Sequence, residues 1–92
     1  MSFQIVYTPG TTGGAARLIK KHPDLLAQYK KALKLLELDP FHPSLRLHRM
    51  KGPLKGLHSV SINVSYRITL ELLIHDQKII PVDIGSYHDV YR

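Results

Sequence analysis

The chain has no cysteine and no tryptophan, and only seven acidic residues against thirteen lysines and arginines in 92 positions. Without cysteine there is no disulfide, no thiolate nucleophile and no thiolate metal site. Small secreted domains ordinarily carry disulfides, so their absence points to the cytoplasm. No apolar run reaches the ~18–20 residues that a membrane span needs. The best candidate, ITLELLI (68–74), is interrupted by Glu71. The opening MSFQIVYTPG lacks a basic segment followed by an apolar one, so no signal peptide is read. A chain of this size buries roughly 60–65% of its unfolded surface, enough for one modest core. The expectation is a single domain over residues 1–92.

What is present is positive charge, unevenly placed. Residues 17–67 hold eleven Lys/Arg against Asp24, Glu37 and Asp39, whereas residues 68–92 hold Lys78 and Arg92 against four acids. A basic stretch this dense suggests a polyanionic partner, nucleic acid first. Its centre is LHRMKGPLKGLH (47–58), with three Lys/Arg, two His and two Gly.

The hydrophobic pattern predicts the order β-α-α-β-β-β-β. FQIVYT (3–8) reads as a short strand stopped by Pro9-Gly10. Gly13 and Gly14 each cost roughly 1 kcal/mol in a helix relative to Ala, so the first helix is expected only from about Ala15 to Lys21. The second opens at Pro23-Asp24, where proline suits the first helical position and the acid complements the helix dipole. Leu25, Leu26, Tyr29, Leu33 and Leu36 then form its apolar stripe, and Pro40 ends it. From residue 44 the period becomes two. SLRLHRM places Leu45 and Leu47 on one face, Arg46 and His48 on the other. HSVSINVS (58–65) turns Val60, Ile62 and Val64 inward. YRITLELLI (66–74) turns Ile68, Leu70 and Leu72 inward and Arg67, Thr69 and Glu71 outward. A tight turn or bulge is required around Asn63–Tyr66. IIPVDIG (79–85) is the last strand, with Ile80, Val82 and Ile84 inward; Pro81 cannot donate to a ladder and belongs at an edge or bulge. The result is an α+β fold with two helices on the apolar face of a mostly antiparallel sheet and a polar face left open.

That polar face gathers Arg46, His48 and Arg67, the turn residues Lys51 and Lys55, and the C-terminal Tyr87, His88 and Tyr91. These side chains bind phosphate and move protons. No HxxxH pair, P-loop, GxGxxG or GxSxG occurs, so no metal or cofactor site is read. RNA cleavage by the ribose 2′-OH needs neither metal nor cysteine. A base takes the 2′-OH proton, the oxygen attacks the adjacent phosphate, cations stabilise the developing charge, and an acid protonates the leaving 5′ oxygen. Histidine titrates near neutrality and suits both proton roles, and the planar fork of arginine matches two phosphoryl oxygens.

The blocks DPFHPSLRLHRMKGPLKG (39–56), SYRI (65–68) and DIGSYHDVY (83–91) resemble the RelE/ParE toxin superfamily of bacterial toxin–antitoxin modules, closest to its RelE/YafQ-like branch. The resemblance covers residues 22–92. It implies a RelE-like fold with a twisted sheet of four to five strands and two N-terminal helices. It implies an mRNA interferase that cuts mRNA in the ribosomal A site, and a cognate antitoxin that neutralises it. It assigns His48 to the histidine before the basic turn, Arg67 to the phosphate-binding arginine, Lys51 and Lys55 to the basic turn, and Tyr91 to the C-terminal aromatic. His88 is then the second proton-transfer group. GSYHDVY carries Tyr87 where relatives of this type carry histidine. Two alternatives accompany the reading: a ParE-like toxin that inhibits DNA gyrase without cutting RNA, and a degenerate toxin that retains only antitoxin binding.

Overall fold

In a computed structural model, which describes residues 2–86, the elements run β1 (Gln4–Ile5), α1 (Pro9–Lys21), α2 (Leu25–Leu38), β2 (His48–Arg49), β3 (His58–Ser61), β4 (Tyr66–Leu73) and β5 (Lys78–Ser86). The strands form one sheet in the order β1-β5-β4-β3-β2. β1 runs parallel to β5, and every other pairing is antiparallel. This is the expected α+β arrangement, with the sheet at five strands. Leu36 from α2 joins Val60, Ile68, Leu70 and Ile79 from the sheet in the buried core.

The first helix starts six residues earlier than its glycines suggest. Thr8 caps it, its hydroxyl oxygen accepting from the Thr11 amide, and Pro9 occupies the first turn. Thr11 is buried and donates its hydroxyl to the Pro81 carbonyl at 2.9 Å. Cap, proline and tertiary bond together outweigh the propensity cost of Gly10, Gly13 and Gly14. The second helix begins at Leu25, because Pro23 and Asp24 form the preceding turn: Leu25 N–H donates to the His22 carbonyl at 2.9 Å. Leu25 and Leu36 are buried as expected, while Leu26 is exposed in a shallow apolar groove between the helices beside Tyr7 and Tyr29.

The expected strand over 44–50 shrinks to His48–Arg49. Pro43–Leu45 is instead a 3₁₀ turn, capped by His42, whose Nδ1 accepts from the Ser44 amide. Arg46 ends that turn in the left-handed conformation, φ 50°, ψ 52°, which interrupts the alternation that Leu45 and Leu47 suggest. The strand from His58 stops at Ser61, and Val64, expected inside, is 88% exposed at the tip of the following turn. The turn expected around Asn63–Tyr66 is present: Asn63 Oδ1 accepts from the amides of Ser65 (2.8 Å) and Tyr66 (2.9 Å).

On β5 the inward set differs from the expected Ile80, Val82 and Ile84. Ile79 and Pro81 are buried and Val82 is exposed, yet Ile84 packs on the core. The reason is a bulge: Leu70 pairs Pro81 and Thr69 pairs Asp83, leaving Val82 as the extra residue that reverses the alternation. Pro81 sits at that bulge, as its missing N–H requires.

Candidate active site

Strand register places the predicted polar residues on one face. His48 is opposite Ser59 on β3, Ser59 is opposite Thr69 on β4, and Arg67 is opposite Ser61 and Gly85. Directly opposed residues in antiparallel strands share a face, with Cβ atoms about 5 Å apart. His48, Ser59 and Arg67 are therefore neighbours on the side of the sheet away from the core.

This face is not simply open to water. Ser59 is fully buried, Thr69 is 3% exposed and Arg67 is 7% exposed. A buried arginine is rare unless its donors are satisfied. Arg67 Nε donates to Ser59 Oγ at 3.2 Å, and Arg67 Nη2 donates to the Arg46 carbonyl at 2.9 Å. Arg67 is thus bonded across β3 to the backbone that leads into β2, a link that alternation along single strands does not reveal. Arg46 contributes its carbonyl to this arrangement while its side chain is exposed. His48 is also exposed, on the two-residue edge strand beside Ser59.

The basic turn lies further along the sheet. It leaves at the Arg49–His58 pair, whereas Arg67 is level with Ser61. Three residues of strand separate the two levels, roughly 10 Å. Gly52 and Gly56 adopt positive φ (66° and 100°), which glycine alone takes readily, and Met50, buried, anchors the turn through its amide to the Leu57 carbonyl at 2.9 Å. Lys51 and Lys55 are exposed on it. The structure therefore brings together His48, Arg67 and the Arg46 backbone, and places the two lysines at one end of that group. Tyr87, His88 and Tyr91 lie outside the described residues.

His58 belongs to the other face. It is level with Arg49 and Leu70 and next to buried Val60, and its buried Nδ1 has no hydrogen-bond partner among the described residues. Burial, followed by the nearby Arg49 and His48 charges, lowers its pKa from the usual imidazole value. Ser59 is the residue whose role the sequence reading missed. Its signal is its place: the small hydroxyl directly between His48 and the arginine strand. Among the described residues, no three His, Asp or Glu side chains converge as metal ligands, and no helix is long and apolar enough to cross a membrane.

No protein-family model matches the chain, and no curated protein matches it in sequence. Solved structures do match in shape. YafQ from E. coli superposes with a TM-score of 0.77 at 15% identity, covering 98% of this chain and 99% of that one. The E. coli DinJ–YafQ toxin–antitoxin complex gives 0.75 at 15% identity, with complete coverage of both chains. A YoeB/ParE toxin from Agrobacterium tumefaciens gives 0.72 at 13% identity, covering 92% of this chain and 99% of that one. At these identities the likeness establishes the fold, which is the RelE-like fold of these toxins.

Proposed function

We propose that this chain is the toxin of a toxin–antitoxin module and that it cleaves mRNA on the ribosome by attack of the ribose 2′-OH on the adjacent phosphate. The observation that carries the reading is the fixed guanidinium of Arg67, held by Ser59 and the Arg46 carbonyl on the face that also bears His48. A preorganised cation stabilises the charge that grows on the phosphoryl oxygens without having to reorganise during the reaction. Arg67 is the phosphate clamp. His48 and His88 form the base–acid pair, one taking the 2′-OH proton and the other protonating the 5′ oxygen. Lys51 and Lys55 seat the RNA backbone from one end of the site, and Tyr87 and Tyr91 position the nucleotide. No residue role in this scheme calls for a cofactor.

Two further proposals follow from the same reading. The partner is a cognate antitoxin, supported by the shape match to the DinJ–YafQ complex. The place of action is the cytoplasm, where translating ribosomes are. The test is primer extension on mRNA from cells that express the protein. Cuts within translated codons, absent with Arg67→Ala, are the expected result. A protein that leaves mRNA intact while blocking gyrase supercoiling in vitro would replace this reading with the non-nuclease one.

A further inference from the structure

We propose that Arg46 and Ser59 are positioning residues for Arg67, and that Arg46 acts through its backbone carbonyl and left-handed conformation rather than through its charge. The proposal deepens the reading above and rests on Arg67 as the phosphate clamp.

Three observations lead to it. The first is the conformation of Arg46. A non-glycine residue at φ 50° is disfavoured, and such residues persist where the surroundings over-determine them. Here the 3₁₀ turn fixes it: the Leu45 amide donates to the His42 carbonyl (3.0 Å) and the Arg46 amide to the Pro43 carbonyl (3.2 Å). The left-handed turn brings the carbonyl of Arg46 itself to Arg67 Nη2 at 2.9 Å while leaving the Arg46 side chain exposed. The second is the burial of Ser59. Its hydroxyl lies in the sheet with no solvent exposure and accepts from Arg67 Nε at 3.2 Å. The third is direction. One contact grips Nε and the other grips Nη2, so the guanidinium plane is held at both and rotation about the last side-chain bonds is opposed. A planar fork binds two phosphoryl oxygens together only when its plane is aligned with them. The cradle sets that plane before substrate arrives.

Residues that can occupy the left-handed region separate a backbone role from a charge role. Glycine takes it freely and asparagine tolerates it, whereas a β-branched residue does not. The experiment compares Arg46→Gly, Arg46→Asn, Arg46→Val and Ser59→Ala, with two readouts. One is the exchange with water of the Arg67 guanidinium ¹⁵N–¹H groups, Nη2 read for the Arg46 variants and Nε for Ser59→Ala, assigned by their loss in Arg67→Lys. The other is steady-state cleavage of mRNA on programmed ribosomes.

The expected result is slow exchange in the wild type, retained in Arg46→Gly and Arg46→Asn and lost in Arg46→Val and Ser59→Ala. Turnover falls on the order of tenfold to a hundredfold in the last two, the range that small misplacement of a catalytic group produces. KM stays within about twofold, and Arg46→Gly loses less turnover than Arg46→Val. Survival of the slow-exchange signal in Arg46→Val overturns the proposal. So does an Arg46→Gly protein that is as impaired as Arg46→Val while its signal is intact, because the side chain is then what matters. If the wild type cleaves no RNA, the nuclease reading fails by itself, and the resonance alone decides whether the cradle exists.

Discussion

Thr11 and Pro81, seventy residues apart, meet at 2.9 Å, the threonine hydroxyl donating to the proline carbonyl. Thr8 in turn donates its hydroxyl to Thr11 Oγ1 at 2.9 Å. The N-terminus of α1 is thus bonded to the bulge of β5. Thr11→Val keeps the shape but removes the hydroxyl, leaving the buried carbonyl and the Thr8 hydroxyl without that partner. The expected loss is about 1–2 kcal/mol, read as a lower urea midpoint at unchanged slope. Thr11→Ser, which keeps the hydroxyl, retains most of that stability.

The glycines of α1 lead to the opposite expectation. Among the described residues, a Cβ on Gly10 would meet nothing within 4 Å, and one on Gly13 only the flexible end of Arg17 at 3.6 Å. Neither glycine has a positive φ that would require it. Gly13→Ala therefore removes backbone freedom from the unfolded chain without a clash, and stabilises the protein by roughly 0.5–1 kcal/mol. Thermal unfolding checks this; a lower Tm would mean that the bare helix surface serves packing after all.

These two positions also show where sequence reasoning succeeds and where it stops. The apolar alternation of Ile68 and Leu70 and the turn at Asn63 are local signals, and both appear as expected. Thr11 cannot be assigned from the chain alone, because its partner lies across the fold. The same holds for the bulge at Val82, which depends on how β4 and β5 pair, and for Arg46, whose neighbours Leu45 and Leu47 imitate a strand. That His48 and Arg67 share a sheet face was readable from residue types and period two. The bond from Arg67 to the Arg46 carbonyl was not, because it depends on where the left-handed turn at Arg46 leaves the backbone.

His48 separates the proposed catalysis from stability. It is exposed on a two-residue edge strand, so His48→Gln changes unfolding free energy by less than about 1 kcal/mol. Loss of a proton-transfer group typically costs 10²–10⁴ in rate, and a fall on the order of a hundredfold or more in mRNA cleavage is expected. Single-turnover cleavage on ribosomes, paired with thermal melts, makes the comparison. A fall below tenfold would remove His48 from the proton-transfer pair.

His58 provides the pH test. It faces the core side, with Nδ1 buried and unpartnered, and burial first, then Arg49 and His48, lower its pKa. The neutral ring is favoured in the folded state, so the unfolded chain binds the proton more readily. Stability therefore rises with pH through the window between the lowered folded value and the ordinary value near 6.5. This contribution is complete above about pH 6.5 and is lost as the pH falls toward the folded value, below which both states are protonated and this dependence ends. His58→Leu removes both the titration and the unsatisfied nitrogen, while keeping apolar bulk beside Val60 and Leu70. The variant is expected to gain about 1 kcal/mol at neutral pH and to show a flatter Tm profile than wild type as the pH falls below about 6.5. Parallel profiles for the two proteins would show that His58 is protonated as readily in the folded chain as in the unfolded one.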